Sequence, residues 1–165
     1  MRKKQKGFSL IELLIGVAII LIIAAIAIPN LLRARIAANE SSAVGSVRTL
    51  VASEVTYSST WGTGFAVSIG LLGGANPCTE SATTVCLIDP VLAAGARSGY
   101  TLAAPGGAAL AGIVTTFAVS AVPQKVGQIG QRAFCSDESG VVRLDTTGLI
   151  TAATDVTCEA LPPLQ

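Results

Sequence analysis

Residues 8–28 form an unbroken apolar stretch that carries a single charge, Glu12, near its start. At about 1.5 Å per residue it makes roughly 31 Å of helix, the thickness of a bilayer's hydrocarbon core, so it predicts one membrane crossing. Past it, Leu32, Ile36, Val44, Val47, Leu50, Val51 and Val55 recur at spacings near three and four, with Arg33, Arg35, Glu40, Arg48 and Glu54 between them. That periodicity predicts that the helix continues through 29–57 as an amphipathic segment. A helix over 8–57 would reach about 75 Å. Pro29 lacks a backbone donor and predicts a kink, and Gly16 and Gly45 loosen the helix further.

After Tyr57 the helical period is lost and glycine, serine, threonine and alanine take over. Residues 58–98 read as an irregular connection, punctuated by Gly73-Gly74, Asn76-Pro77 and Asp89-Pro90, with a short helix over 91–94. Beyond it the pattern favours strands. A short one is predicted over 99–103. Residues 116–122 alternate, with Phe117, Val119 and Ala121 on one face and Ala118 and Ser120 on the other. Residues 132–136 and 141–145 flank Asp137-Glu138-Ser139-Gly140 and predict a hairpin. The expected fold is α+β: a long N-terminal helix whose apolar stripe packs on a small antiparallel sheet of three or four strands. The expected divisions are a basic leader at 1–7, a membrane helix at 8–28, its amphipathic continuation at 29–57, the connection at 58–98 and a sheet head at 99–165.

Charge sets the orientation. Arg2, Lys3, Lys4 and Lys6 precede the apolar run, which predicts a cytoplasmic N-terminus and sends roughly 135 residues across the membrane. The run is longer than a secretory signal core, and Pro29-Asn30-Leu31-Leu32 follows it in place of a small-residue cleavage site. The unusual junction is Gly7-Phe8. A peptidase cutting there would remove the leader, leave the helix in the membrane and create a new amino terminus on Phe8, a partner for the otherwise costly Glu12 carboxylate. Without the four basic residues of the leader, seven basic residues face ten acidic ones. A head this mildly acidic predicts no nucleic-acid surface.

All four cysteines, Cys78, Cys86, Cys135 and Cys158, lie beyond the run. An even count outside the cytoplasm predicts disulfides, and although three pairings exist, proximity favours Cys78 with Cys86 and Cys135 with Cys158. Chain-entropy arguments assign them about 2.6 and about 3.4 kcal/mol. Zinc is the competing chemistry, but the chain has no Cys-x-x-Cys pair and no histidine, so no metal site is predicted. Lacking histidine, the chain also lacks the commonest general base, and it has no Gly-x-Ser-x-Gly element or phosphate-cradling glycine loop. No enzymatic activity and no cofactor are predicted. Asp137 and Glu138, which could in principle bind calcium, read as solvated turn residues. Trp61 and Phe65, beside the helix end, read as core residues or as contacts to a neighbouring subunit.

The stretch Gly7-Phe8-Ser9-Leu10-Ile11-Glu12-Leu13-Leu14-Ile15, with Pro29 following, resembles the N-terminus of type IV prepilins and the related type II secretion pseudopilins. That resemblance covers about the first 30 residues. It implies that a prepilin peptidase cuts after Gly7 and methylates Phe8, and that Glu12 neutralises the terminal amine of a neighbouring subunit as helices pack into a filament. Asp89-Pro90, Ser98-Gly99-Tyr100-Thr101 and residues 132–143 resemble pilin-like sheet heads more loosely. A bridge between Cys135 and Cys158 resembles the loop closed by a C-terminal disulfide in many pilins.

The function so implied is that of a structural subunit of a type IV pilus-like filament, serving adhesion, motility or uptake. The expected partners are further copies of itself, the prepilin peptidase, an inner-membrane assembly platform and, before assembly, the membrane. Its location would be the inner membrane, then a surface filament. One alternative is the major pseudopilin of a type II secretion system, with the same architecture. A second is a membrane-anchored extracytoplasmic binding module, for which the leader should stay uncut and Glu12 should be dispensable.

Overall fold

A computed structural model of the chain describes residues 8–74, 76–81, 84–150 and 155–164; the leader, Gly7 included, lies outside them. Its contacts divide the chain into two units, Met1–Arg35 and Ile36–Gln165. The first is the opening part of helix α1 (Leu10–Trp61). Ser9 stands at the N-cap and Glu12 at the third position of the first turn, and the Ser9 N–H donates to Glu12 Oε2 at 3.0 Å, the side-chain-to-backbone half of a capping box. Pro29 lies inside the helix. The apolar side chains from Phe8 to Leu32 are exposed almost without exception, and a window of this helix has a mean hydropathy of 3.0.

The second unit is built on the rest of α1. Its buried positions, Glu40, Ala43, Val47, Leu50, Glu54 and Tyr57, alternate steps of three and four and make one stripe, joined by Ser46 and Ser53. The sequence pattern placed Val55 in this stripe and Glu40 and Glu54 outside it; the structure reverses both. Val55 is exposed, while both carboxylates point inward and bond backbone groups of the head. The helix runs four residues past the expected end at Tyr57. Ser58, Ser59 and Thr60 donate their hydroxyls to the carbonyls of Val55 and Thr56 within the last turns, and Gly62, at φ 68°, turns the chain away.

Short helices α2 (Ile69–Leu72) and α3 (Pro90–Ala93) follow. Asp89 caps α3, accepting from the N–H groups of Val91 and Leu92, and Pro90 fills its first position. The strands are β1 (Ala96–Arg97), β2 (Tyr100–Ala103), β3 (Ala109–Leu110), β4 (Ile113–Val114), β5 (Ala118–Pro123), β6 (Ala133–Asp137) and β7 (Arg143–Asp145). Among the described residues the main sheet has five strands in the order β1-β2-β5-β6-β7, all antiparallel, one more than the sequence suggested. The extra one is the two-residue β1, too short to show a period. The expected hairpin is β6-β7, with Phe134 opposite Leu144.

The β3-β4 hairpin, absent from the sequence reading, is a separate excursion between β2 and β5. It is fastened by Phe65 N–H donating to the Val114 carbonyl at 2.9 Å and by Val114 N–H donating to that of Thr63 at 3.2 Å. Gly64 must stay bare there: at φ 81°, an added Cβ would sit 1.9 Å from the Val114 carbonyl oxygen.

Both faces of the sheet are covered. Phe117, Val119, Ala121 and Phe134 join the α1 stripe in the main core. Ala118 and Cys135 pack on the opposite side against Cys158, Ile150 and Leu161, in and around helix α4 (Asp155–Glu159). The alternation in β5 that the sequence shows, with Val119 and Ala121 on one face and Ala118 and Ser120 on the other, therefore separates two cores. Residues 161–164 extend the sheet beyond β7: Leu144 N–H donates to the Pro162 carbonyl, Leu164 N–H to that of Val142, and Arg143 Nη1 to that of Leu161. Pro162 and Pro163 have no N–H to offer a further strand, which blunts that edge.

Candidate functional site

The features proposed for assembly fall in the first unit. Phe8 is highly exposed, and Glu12 sits one helical turn beyond it. Among the described residues the Glu12 carboxylate makes only the bond to its own Ser9 N–H, so it retains acceptor capacity for a second donor. The structure thus gives Glu12 a local role that sequence reading missed, and the signal was in view: Ser-x-x-Glu immediately before an apolar run. An apolar helix with this exposure cannot remain in water; at about 25 cal/mol per Å², covering its side chains is the largest available driving force in this unit.

The head is held to α1 by two buried carboxylates. Glu40 Oε1 accepts from the N–H groups of Gln131 (2.8 Å) and Arg132 (3.2 Å), and Oε2 accepts from Arg132 Nε (3.0 Å) and Nη2 (2.7 Å). Burial pushes its carboxyl upward, but the Arg132 side chain, the Gln131 amide and the guanidinium charge outweigh burial and leave it below its ordinary value. Asn39 adds a bond to the Ile129 carbonyl at 3.0 Å, and the Tyr100 hydroxyl donates to that of Arg132 at 2.9 Å. Tyr100 is pushed up to about 12 by burial and by the Glu40 charge. The Arg132 guanidinium carbon also lies 5.7 Å from the centre of the Phe134 ring. Beside this pair, Ala37, Val44, Phe134 and Leu164 help line a cavity of about 240 Å³.

Glu54 is the contrasting case. Its side chain is fully buried; Oε2 accepts from the Ala66 N–H at 2.8 Å, and Oε1 has no partner. Burial, only partly offset by the Ala66 bond, pushes it up to about 7. It anchors the segment at 63–66 to which the β3-β4 hairpin is fastened.

The cysteines are joined as Cys78–Cys86 and Cys135–Cys158, closing loops of 8 and 23 residues. The second ties α4 to β6. Asp137, expected as a solvated turn residue, is buried and accepts from the N–H and hydroxyl of Ser139, which closes the turn; Glu138 is exposed. Among the described residues no three His, Cys, Asp or Glu side chains gather as a metal site. Trp61 stacks on Tyr57 with ring centres 5.3 Å apart and stays partly exposed, whereas Phe65 packs on Phe117.

Residues 2–28 match the prokaryotic N-terminal methylation motif. The chain is also 62% identical over 39 residues to the type IV wide pilus major component of Thermus thermophilus, a match that takes in 24% of this chain and 30% of that protein. The chain thus aligns with less than a third of that relative's length. No solved structure matches. Residues 2–28 thus carry a known N-terminal motif, and over the 39 aligned residues the chain is similar to a pilus component.

Proposed function

We propose that this chain is the structural subunit of a type IV pilus-like filament, inserted in the inner membrane with its N-terminus inside, cut between Gly7 and Phe8, methylated on Phe8 and polymerised through its apolar helix. The observation that carries this reading is the exposed apolar helix headed by Phe8 and Glu12, within a segment that matches the methylation motif. The wide-pilus relative supports a pilus over a secretion piston. In this reading Glu12 has two duties: it caps its own helix through Ser9 and offers its remaining acceptor capacity to the Phe8 amine of the next copy. Pro29 marks where the helix leaves the membrane and bends, and the disulfide-closed head faces outward. The partners are other copies, the prepilin peptidase and the assembly platform.

The test is electron microscopy of the sheared surface fraction from the native host, wild type beside Glu12→Ala. Filaments containing this chain in the wild type and their loss in E12A, with the protein still present in the membrane, are expected. Filaments of normal abundance in E12A would overturn the assembly role of Glu12.

A further inference from the structure

The part of the first unit just beyond the apolar run has a feature that filament packing alone does not explain. Between Glu12 and Glu40 there is no acidic residue, and the only charges are Arg33 and Arg35. Both are exposed, and neither has a hydrogen-bond or ion-pair partner among the described residues; the ion pairs there use Arg97 and Arg132. They follow directly on Leu31 and Leu32, which are exposed apolar residues.

Their depth is set by helix geometry. Arg33 and Arg35 lie five and seven residues past Ile28, about 7.5 and 10.5 Å along the axis. The head-group layer on each side of a bilayer is roughly 5 to 8 Å thick. Side chains on a helix lean toward its N-terminus, so both arginines reach back toward the apolar run, into that layer. Their angular placement matters as much. Two residues apart on a helix is about 200°, which puts the guanidinium groups on opposite sides. A neighbouring protein would meet one side, whereas a layer of lipid head groups surrounds the helix. The guanidinium fork fits phosphate oxygens in pairs.

We propose that Arg33 and Arg35 bind the phosphates of anionic phospholipids around the helix where it emerges from the membrane, fixing its depth before assembly. This rests on the membrane-inserted precursor of the preceding section. The site is a collar of two arginines, and its ligand is the head group of a lipid such as phosphatidylglycerol. Leaving the membrane for a filament then requires these contacts to be released, so lipid charge opposes extraction.

The test uses the full chain reconstituted in phosphatidylcholine vesicles containing phosphatidylglycerol, with spin-labelled versions of each lipid reporting their relative association with the protein. The leader's basic residues are common to all variants, so the comparison isolates the collar. Preference for the anionic lipid should fall about fivefold for each arginine lost in R33Q and R35Q, fall less in R33K/R35K, which keeps the charges but loses the forks, and be unchanged in R48Q, which alters an exposed arginine of the other unit. It should also fall at 0.5 M salt. Failure of the chain to resist alkaline extraction from the vesicles would refute the membrane reading itself. Firm insertion with an equal preference in wild type and R33Q/R35Q would overturn the collar alone. A wild-type excess that vanishes when the protein is diluted in lipid would overturn it in favour of a second copy as the partner.

Discussion

Replacing Glu54 with glutamine should remove most of the head's loss of stability between weakly acidic and weakly alkaline pH. Glu54 is fully buried with one oxygen unpartnered, and its carboxyl sits at about 7 against an ordinary 4.5. No countercharge is close in sequence: Glu54 is the only charged residue between Arg48 and Glu80, and residues 98–124, which include the β3-β4 hairpin, carry none. Below pH 4.5 the group is protonated in both folded and unfolded chains. As pH rises through the window from 4.5 to 7 the unfolded chain ionises first, so stability present in acid is lost, and above 7 the loss is complete. A shift of about 2.5 units corresponds to roughly 3 kcal/mol, an upper limit because water drawn to Oε1 would relieve part of it. Glutamine keeps a carbonyl for the Ala66 N–H and cannot ionise. Urea unfolding of the detergent-solubilised full chain, followed by Trp61 fluorescence at a series of pH values, measures the difference between wild type and E54Q. That difference should move in favour of E54Q by up to about 3 kcal/mol from pH 4.5 to 8. Subtraction cancels the opposite contributions of Glu40 and Asp145, whose lowered values make their stabilisation fade as pH falls. A difference that stays constant across the series would refute the reasoning.

Two further perturbations test the head. Glu40→Ala strips four hydrogen bonds from the 131–132 backbone and the Arg132 side chain, and should cost about 3 kcal/mol; Arg132 is partly exposed and rehydrates, which keeps the cost at the low end for a broken buried pair. Urea unfolding at pH 7 reads it, and a cost under about 0.5 kcal/mol would contradict the role of Glu40 in holding the head to α1. Replacing Cys135 and Cys158 together by serine should remove about 3.4 kcal/mol by chain entropy, with the larger drop in melting temperature compared with the Cys78/Cys86 double variant, because the closed loop is 23 residues against 8. Equal drops would show that loop length is not what separates them.

The first unit was the more legible half because its signals are local. An apolar run, a basic flank and the Gly7-Phe8-x-x-x-Glu12 spacing stand next to one another in the chain, so a long apolar helix could be read without knowing any distant contact. The β6-β7 hairpin was legible for the same reason: a turn ending in glycine joins two short strands. What escaped depends on partners far along the chain. Glu40 and Glu54 look like solvent-facing charges in a helical period, and only groups far along the chain make their burial tolerable: the backbone N–H groups of Gln131 and Arg132 with the Arg132 guanidinium for Glu40, and the Ala66 N–H for Glu54. The β3-β4 hairpin has two residues per strand and an Ala111-Gly112 turn, too little to show alternation. In β5, small residues on both faces hid the second core, whose apolar lid comes from Ile150, Cys158 and Leu161, some thirty to forty residues later.

The most direct test of the account is the intact mass and N-terminal sequence of the protein recovered from its native membrane and sheared surface fractions. The account predicts a chain that begins at Phe8 and is heavier than that sequence by one methyl group. A chain that still begins at Met1 in both fractions would contradict it and favour a membrane-anchored head that never enters a filament.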